Sequence, residues 1–191
     1  MSRIKTCKVM LAVGAALVLL GAAGLRAAPA APAAAAPEAL AAACSAPEYR
    51  QFDFWVGDWD AFDLDGHGRP IAAAPVARNH VELILGGCVL REIYEGTNGV
   101  VGQSFSIYDR SRLAWHQSWV TNRGTLLVIE GKLQGDRMVL SGTDPAFSPP
   151  RLVRGVWYRV AEGVRETADR SSDGGRSWQP WFDILFRRHP G

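Results

Sequence analysis

From about residue 49 onward the sequence predicts an all-β, antiparallel fold, either a sandwich or a barrel. Apolar and aromatic residues come in short runs, and Gly, Asp, Asn and Pro separate them at near-regular spacing. That is the pattern of strands joined by tight turns. No gap is expected to hold the crossover helix that a parallel sheet requires. All seven Trp and all seven Phe fall between Tyr49 and Arg188, enough for one core in a domain of about 145 residues.

The elements follow in chain order. Arg3, Lys5 and Lys8 precede an apolar run from Val9 to Leu25, which ends at Arg26 and is followed by Ala28-Pro29-Ala30. A basic start, a short apolar core and small residues at a cleavage site make residues 1–30 a signal peptide, directing the chain to the periplasm or outside the cell. The run of 17 residues is short for a bilayer span of about 20, and a retained anchor is the alternative. Residues 31–47, almost entirely Ala and Pro at first, read as a disordered tether. The domain proper occupies residues 48–191. A helical turn over 47–55, with Glu48, Tyr49 and Phe52 on one face, precedes ten strands. These are expected at 58–63, 77–85, 88–95, 100–108, 113–120, 125–133, 137–142, 152–160, 164–170 and 181–187. Asp65-Gly66, Gly86-Gly87, Thr97-Asn98-Gly99, Asn122-Arg123-Gly124, Gln134-Gly135-Asp136 and Glu162-Gly163 supply turns between them.

Signal removal changes the chemistry of the chain. Of 21 Lys+Arg, Arg3, Lys5, Lys8 and Arg26 lie in the signal, leaving 17 against 19 Asp+Glu. The exported chain is therefore slightly acidic with a single lysine, Lys132, and lacks the basic footprint of a nucleic-acid binder. Cys7 also leaves, so Cys44 and Cys88 are the one pair available in an oxidising compartment. A disulfide between them would fasten the tether to the fold. A lipid-modified Cys44 is the rival reading, because Leu40-Ala41-Ala42-Ala43-Cys44 loosely resembles a lipobox.

Alternation along the strands separates two faces. Trp115, Gln117 and Trp119 share one side, as do Ser104, Ser106 and Tyr108, and Leu90, Glu92 and Tyr94. Their opposite sides carry Phe105 and Ile107, or Val89 and Ile93. A mixed polar and aromatic face on several strands suits the wall of a ligand cavity. An ordinary packed core with a cross-strand Trp pair is the alternative.

The domain opens with Phe52-Asp53-Phe54-Trp55-Val56-Gly57-Asp58-Trp59, and its Gly-x-Trp resembles the lipocalin and fatty-acid-binding (calycin) signature. The longer pattern resembles an uncharacterised family of bacterial, often exported, calycin-like barrel proteins. Further matches run to the end of the domain. They include Asn79-His80-Val81-Glu82, Gly87-Cys88-Val89-Leu90-Arg91-Glu92, Trp115-His116-Gln117-Ser118-Trp119, Arg154 with Trp157, and Val164-Arg165-Glu166. The resemblance covers roughly residues 48–188 and implies a barrel of about ten strands, with Trp59 closing one end, but no assigned activity. Ser106, Ala168 and Phe186 depart from the family's pattern, which implies a less polar and slightly roomier pocket.

Candidate lining residues are Glu92, Tyr94, Ser104, Tyr108, Trp115, Gln117, Trp119 and Arg154. No metal or cofactor is expected: the four histidines lack i, i+2 or i+4 partners, and no CxxC exists. Haem ligation through His80 or His116 is the one variant considered. No G-x-S-x-G elbow is present. Ser171-x-Asp173-x-Gly175-x-Ser177-Trp178 fits an Asp-box, read as a hairpin device. The first functional reading is a module binding a small, largely apolar or aromatic molecule. The second is an isomerase- or hydrolase-like enzyme using Glu92 and Arg154, and the third is a structural or envelope-interaction protein with a filled core. Glu92 and Arg154 could neutralise each other as a buried pair, favouring binding. An unpaired Glu92 near Tyr94 in an empty pocket would favour the enzyme.

Overall fold

The computed structural model describes residues 44–191, so the expected signal peptide and most of the expected tether lie outside the described residues. Two consecutive 3₁₀ turns, Pro47–Arg50 and Asp53–Trp55, lead into ten strands. These are β1 (Gly57–Asp63), β2 (Ala77–Ile84), β3 (Val89–Gly96), β4 (Val101–Asp109) and β5 (Ala114–Thr121). They continue as β6 (Leu126–Gln134), β7 (Arg137–Asp144), β8 (Arg151–Val160), β9 (Gly163–Ser171) and β10 (Gln179–Arg188). Every strand pairs antiparallel with its sequence neighbours, and β1 pairs with β10 to close the barrel. Closure leaves no free edge to aggregate.

The alternation expected from sequence is the alternation of barrel interior and exterior. Leu90 and Glu92 point in from β3, Ser104 and Ser106 from β4, and Trp115 and Gln117 from β5, all buried. Phe105 and Ile107, on the alternate positions of β4, are exposed on the outer wall.

One end of the barrel is filled. The 3₁₀ turns enter it as a plug: Phe52 is fully buried, stacks on Trp55 at 5.3 Å and meets the edges of Trp115 and Trp157 at 5.6 Å. Burying such aromatic side chains stabilises the fold by roughly 1.5–3 kcal/mol each. Tyr49 is buried with them, against Tyr108, whereas Glu48 is exposed and not on the packed face. The Gly57-x-Trp59 element closes the same end. Gly57 has φ +150°, and a Cβ there would strike the Arg188 guanidinium, which donates to the Val56 carbonyl at 3.0 Å and covers the Trp59 ring. The Cys44–Cys88 disulfide ties the plug to the turn before β3. The two residues meet as expected, which places a sulfur–sulfur bond where a lipid on Cys44 was the rival.

Candidate functional site

The opposite half of the barrel is hollow. A cavity of about 250 Å³ runs from the middle of the interior toward the end where β9 turns into β10. Its walls are mainly apolar and aromatic, with Trp119, Trp157, Ile129, Ile184 and Phe186 among them. Room for the Trp119 ring is made by Gly102 on the neighbouring strand, where any Cβ would lie 2.3 Å from the indole.

Polar groups gather on this wall by cross-strand register. Glu92 on β3 sits opposite Ser104 on β4, whose Oγ donates to Glu92 Oε2 at 2.8 Å. One step along, Gln117 Nε2 donates to Ser106 Oγ at 3.0 Å. Asn79 and Val81 on β2 flank Glu92 from the other side, and the buried Asn79 amide helps hold the Glu92 carboxylate without making a hydrogen bond of normal geometry. Glu166 on β9 faces Glu92 from the far wall, with β10, β1 and β2 between their strands. The indole N–H of Trp157, its cross-strand neighbour, makes no hydrogen bond of normal geometry.

Burial dominates the electrostatics. It pushes Glu92 up to about 7, only partly opposed by the Ser104 hydroxyl and then the Asn79 amide. Glu166 is raised well above the usual carboxylate range by burial first and then by the Glu92 charge. Tyr94 is raised by burial, and then by Asp63, Glu92 and Glu166. Near neutral pH the two carboxyls therefore act as a proton-holding pair rather than two fixed charges.

The structure brings Glu92, Tyr94, Gln117 and Trp119 together around the cavity, with Ser104 behind Glu92. Trp115 and Tyr108 belong instead to the plugged end, where Trp115 donates to Gln51 Oε1 at 3.1 Å. Arg154 touches the cavity rim, but its guanidinium bonds Asp169 at 2.9 Å and lies over Trp178. The expected Glu92–Arg154 pair is thereby corrected. On β8 it is Val153, Gly155 and Trp157 that are buried, and Arg154 between them points outward. Sequence reasoning missed Glu166, Asn79 and Trp157 as members of the site. Alternation through Val164, Glu166 and Ala168 was a signal for the first of these.

The histidines considered for haem face away from the cavity. His80 Nδ1 lies 2.6 Å from Asp58, and His116 Nδ1 lies 2.9 Å from Glu130, both on the outer wall. The Asp-box is a turn: Ser177 N–H and Oγ–H reach Asp173, and Gly175 N–H reaches Ser171 Oγ. No group of three or more metal-ligating side chains occurs among the described residues.

Comparison with protein-family models and with curated proteins yields no match. The case for function therefore rests on the cavity itself.

Proposed function

We propose that this is an exported, calycin-like barrel protein that binds a small, largely apolar molecule in its half-open interior. The observation that carries the reading is the combination of apolar aromatic walls with a few convergent polar groups in a preformed cavity. A filled core would have left no room for a ligand, and only the plugged half is filled. Export is supported by the N-terminal pattern and by the disulfide, and no helix among the described residues is long and apolar enough to cross a membrane. The Gly57-x-Trp59 closure supports the calycin resemblance.

Titrating the protein with 2-phenylethanol or 1-octanol should quench the fluorescence of the cavity tryptophans, and Gly102→Val, which displaces Trp119, should weaken that response at least tenfold. Absence of any quenching, together with no small molecule co-extracted from the native envelope by mass spectrometry, would overturn the reading.

A second reading has a specific observation behind it. Glu92 has no cationic partner among the described residues, titrates near 7 and lies close to Tyr94, the arrangement expected of a general base. Proton exchange into a cyclic ketone in deuterated buffer, lost in Glu92→Gln, would place the protein with isomerase-like enzymes instead.

A further inference from the structure

We propose that the cavity is an ammonium site: its ligand carries a protonated amine, held between Glu92 and Glu166, on a compact aromatic or aliphatic body lying against Trp119 and Trp157. This deepens the binding reading and rests on it.

The cavity is short of positive charge: among the described residues no unpaired cation lines it. Each nearby cation is already committed to an acid elsewhere. Arg91 pairs with Glu82, Arg154 with Asp169, Arg165 with Asp183 and Arg170 with Asp144, while His80 and His116 bind carboxylates on the outer wall. Glu92 receives one hydroxyl hydrogen bond, which leaves most of its acceptor capacity unused. Two carboxyls on opposite walls of one apolar chamber then form a pair that a single cation can satisfy from both sides. Buried charges are retained when they find such a partner.

The surroundings favour an organic cation over a hydrated metal ion. Tyr94, Trp119, Trp157 and Phe182 line the chamber, and aromatic faces attract ammonium groups in desolvated sites. The buried Asn79 amide turns to the Glu92 carboxyl without a hydrogen bond of normal geometry and adds a polar group to the wall from β2. A cavity of about 250 Å³ suits one ring with a short chain, given that an apolar cavity of roughly 150 Å³ holds benzene.

Binding an ammonium also requires a carboxylate. Protons held by Glu92 and Glu166 must leave as the amine enters, so binding releases protons and strengthens with pH while the amine stays protonated. The other titratable groups near this pair are Tyr94 and, acting on Tyr94, Asp63, with Arg154 and its partner Asp169 at the rim.

Calorimetry with 2-phenylethylamine, 2-phenylethanol and phenylacetate tests this on ligands of nearly equal shape. The amine is expected to bind at least tenfold more tightly than the alcohol at pH 8, with proton release seen by comparing buffers of different ionisation enthalpy. Phenylacetate should bind weakest. Glu92→Gln and Glu166→Gln should each weaken the amine at least tenfold and the alcohol by a smaller factor, with cooperative urea unfolding showing that the variants remain folded. Equal affinity for alcohol and amine, or an amine that binds the Glu92→Gln/Glu166→Gln double variant unchanged, would overturn the ammonium site while the binding reading stands. Failure of all three probes to bind or to quench tryptophan fluorescence would remove both.

Discussion

Glu92 shows at single-residue scale what a polar cavity costs the fold. Its carboxyl titrates near 7 in the folded chain against 4.5 ordinarily, because burial outweighs the stabilising contacts from Ser104 and Asn79. The folded state therefore holds a proton that the unfolded chain releases. Stability from this group is fully present below pH 4.5 and is lost as pH rises through 7. Ionising Glu92 in place costs roughly 3 kcal/mol at pH 8 on that shift, and Glu166, raised for the same reason, adds a cost of the same sign. Glu92→Gln keeps the shape and the Ser104 hydrogen bond without the charge. Urea unfolding should show it more stable than the parent at pH 8 by roughly 1–3 kcal/mol, with the gap closing toward pH 5. A gap that is the same at both pH values would mean that Glu92 ionises freely. Asp173 runs the other way: bonds from Ser177 and Ser171 hold it down to about 2, so its contribution is present above pH 3.8 and fades only as pH falls toward 2.

At the scale of elements, the plug is the part whose attachment can be tested. The disulfide spans a sequence separation of 44, and a loop of that length is worth about 4 kcal/mol in the chain-entropy account. Cys44→Ser with Cys88→Ser should therefore lower unfolding stability by roughly 2–4 kcal/mol. Cavity binding should survive, since Phe52 and Trp55 are held by their own packing; a double variant as stable as the parent would show that the disulfide does not hold the fold. Ten strands were legible in the sequence, each end within two residues, because turn residues such as Asn122-Arg123-Gly124 and Gln134-Gly135-Asp136 interrupt clean alternation. The half of the site on β3, β4 and β5 was legible for the same reason. What alternation could not show is how far along the barrel each inward residue lies. Trp115 and Trp119 point the same way, yet the plug covers one and the cavity exposes the other. Arg154 and Glu166 failed for a different reason. A charged residue was expected inside only where a partner could be named, and the structure puts Glu166 inside with no cation beside it among the described residues and Arg154 outside with Asp169.

Across the whole molecule, the barrel depends on one pairing between distant parts of the chain. Every contact between neighbouring strands is local except β1 with β10, where Trp59 meets Arg188 and Asp63 meets Ile184. His189 N–H extends that seam by donating to the Asp58 carbonyl at 3.0 Å, so the C-terminus is held beside the start of β1, at the plugged end. The closing pair is thus a choice of connectivity, and the ring of ten strands would be unchanged if closure fell elsewhere. A circular permutant tests this. Gly191 is joined to Cys44 by a Gly/Ser linker of roughly ten residues, which spans about 17 Å, and the chain is opened between Gly135 and Asp136 in the exposed β6–β7 turn. The loop-closure cost moves from β1–β10 to β6–β7 and changes little in size, since it grows only with the logarithm of loop length. The permutant should match the parent's unfolding free energy within about 2 kcal/mol and keep the same tryptophan quenching by 2-phenylethanol. Its folding rate should respond to substitutions in β6 and β7 where the parent's responds to those in β1 and β10, because the last non-local pairing to form has moved. A permutant that unfolds without cooperativity, or that folds but loses the cavity response, would show that the β1–β10 seam is built into the site and does more than close the ring.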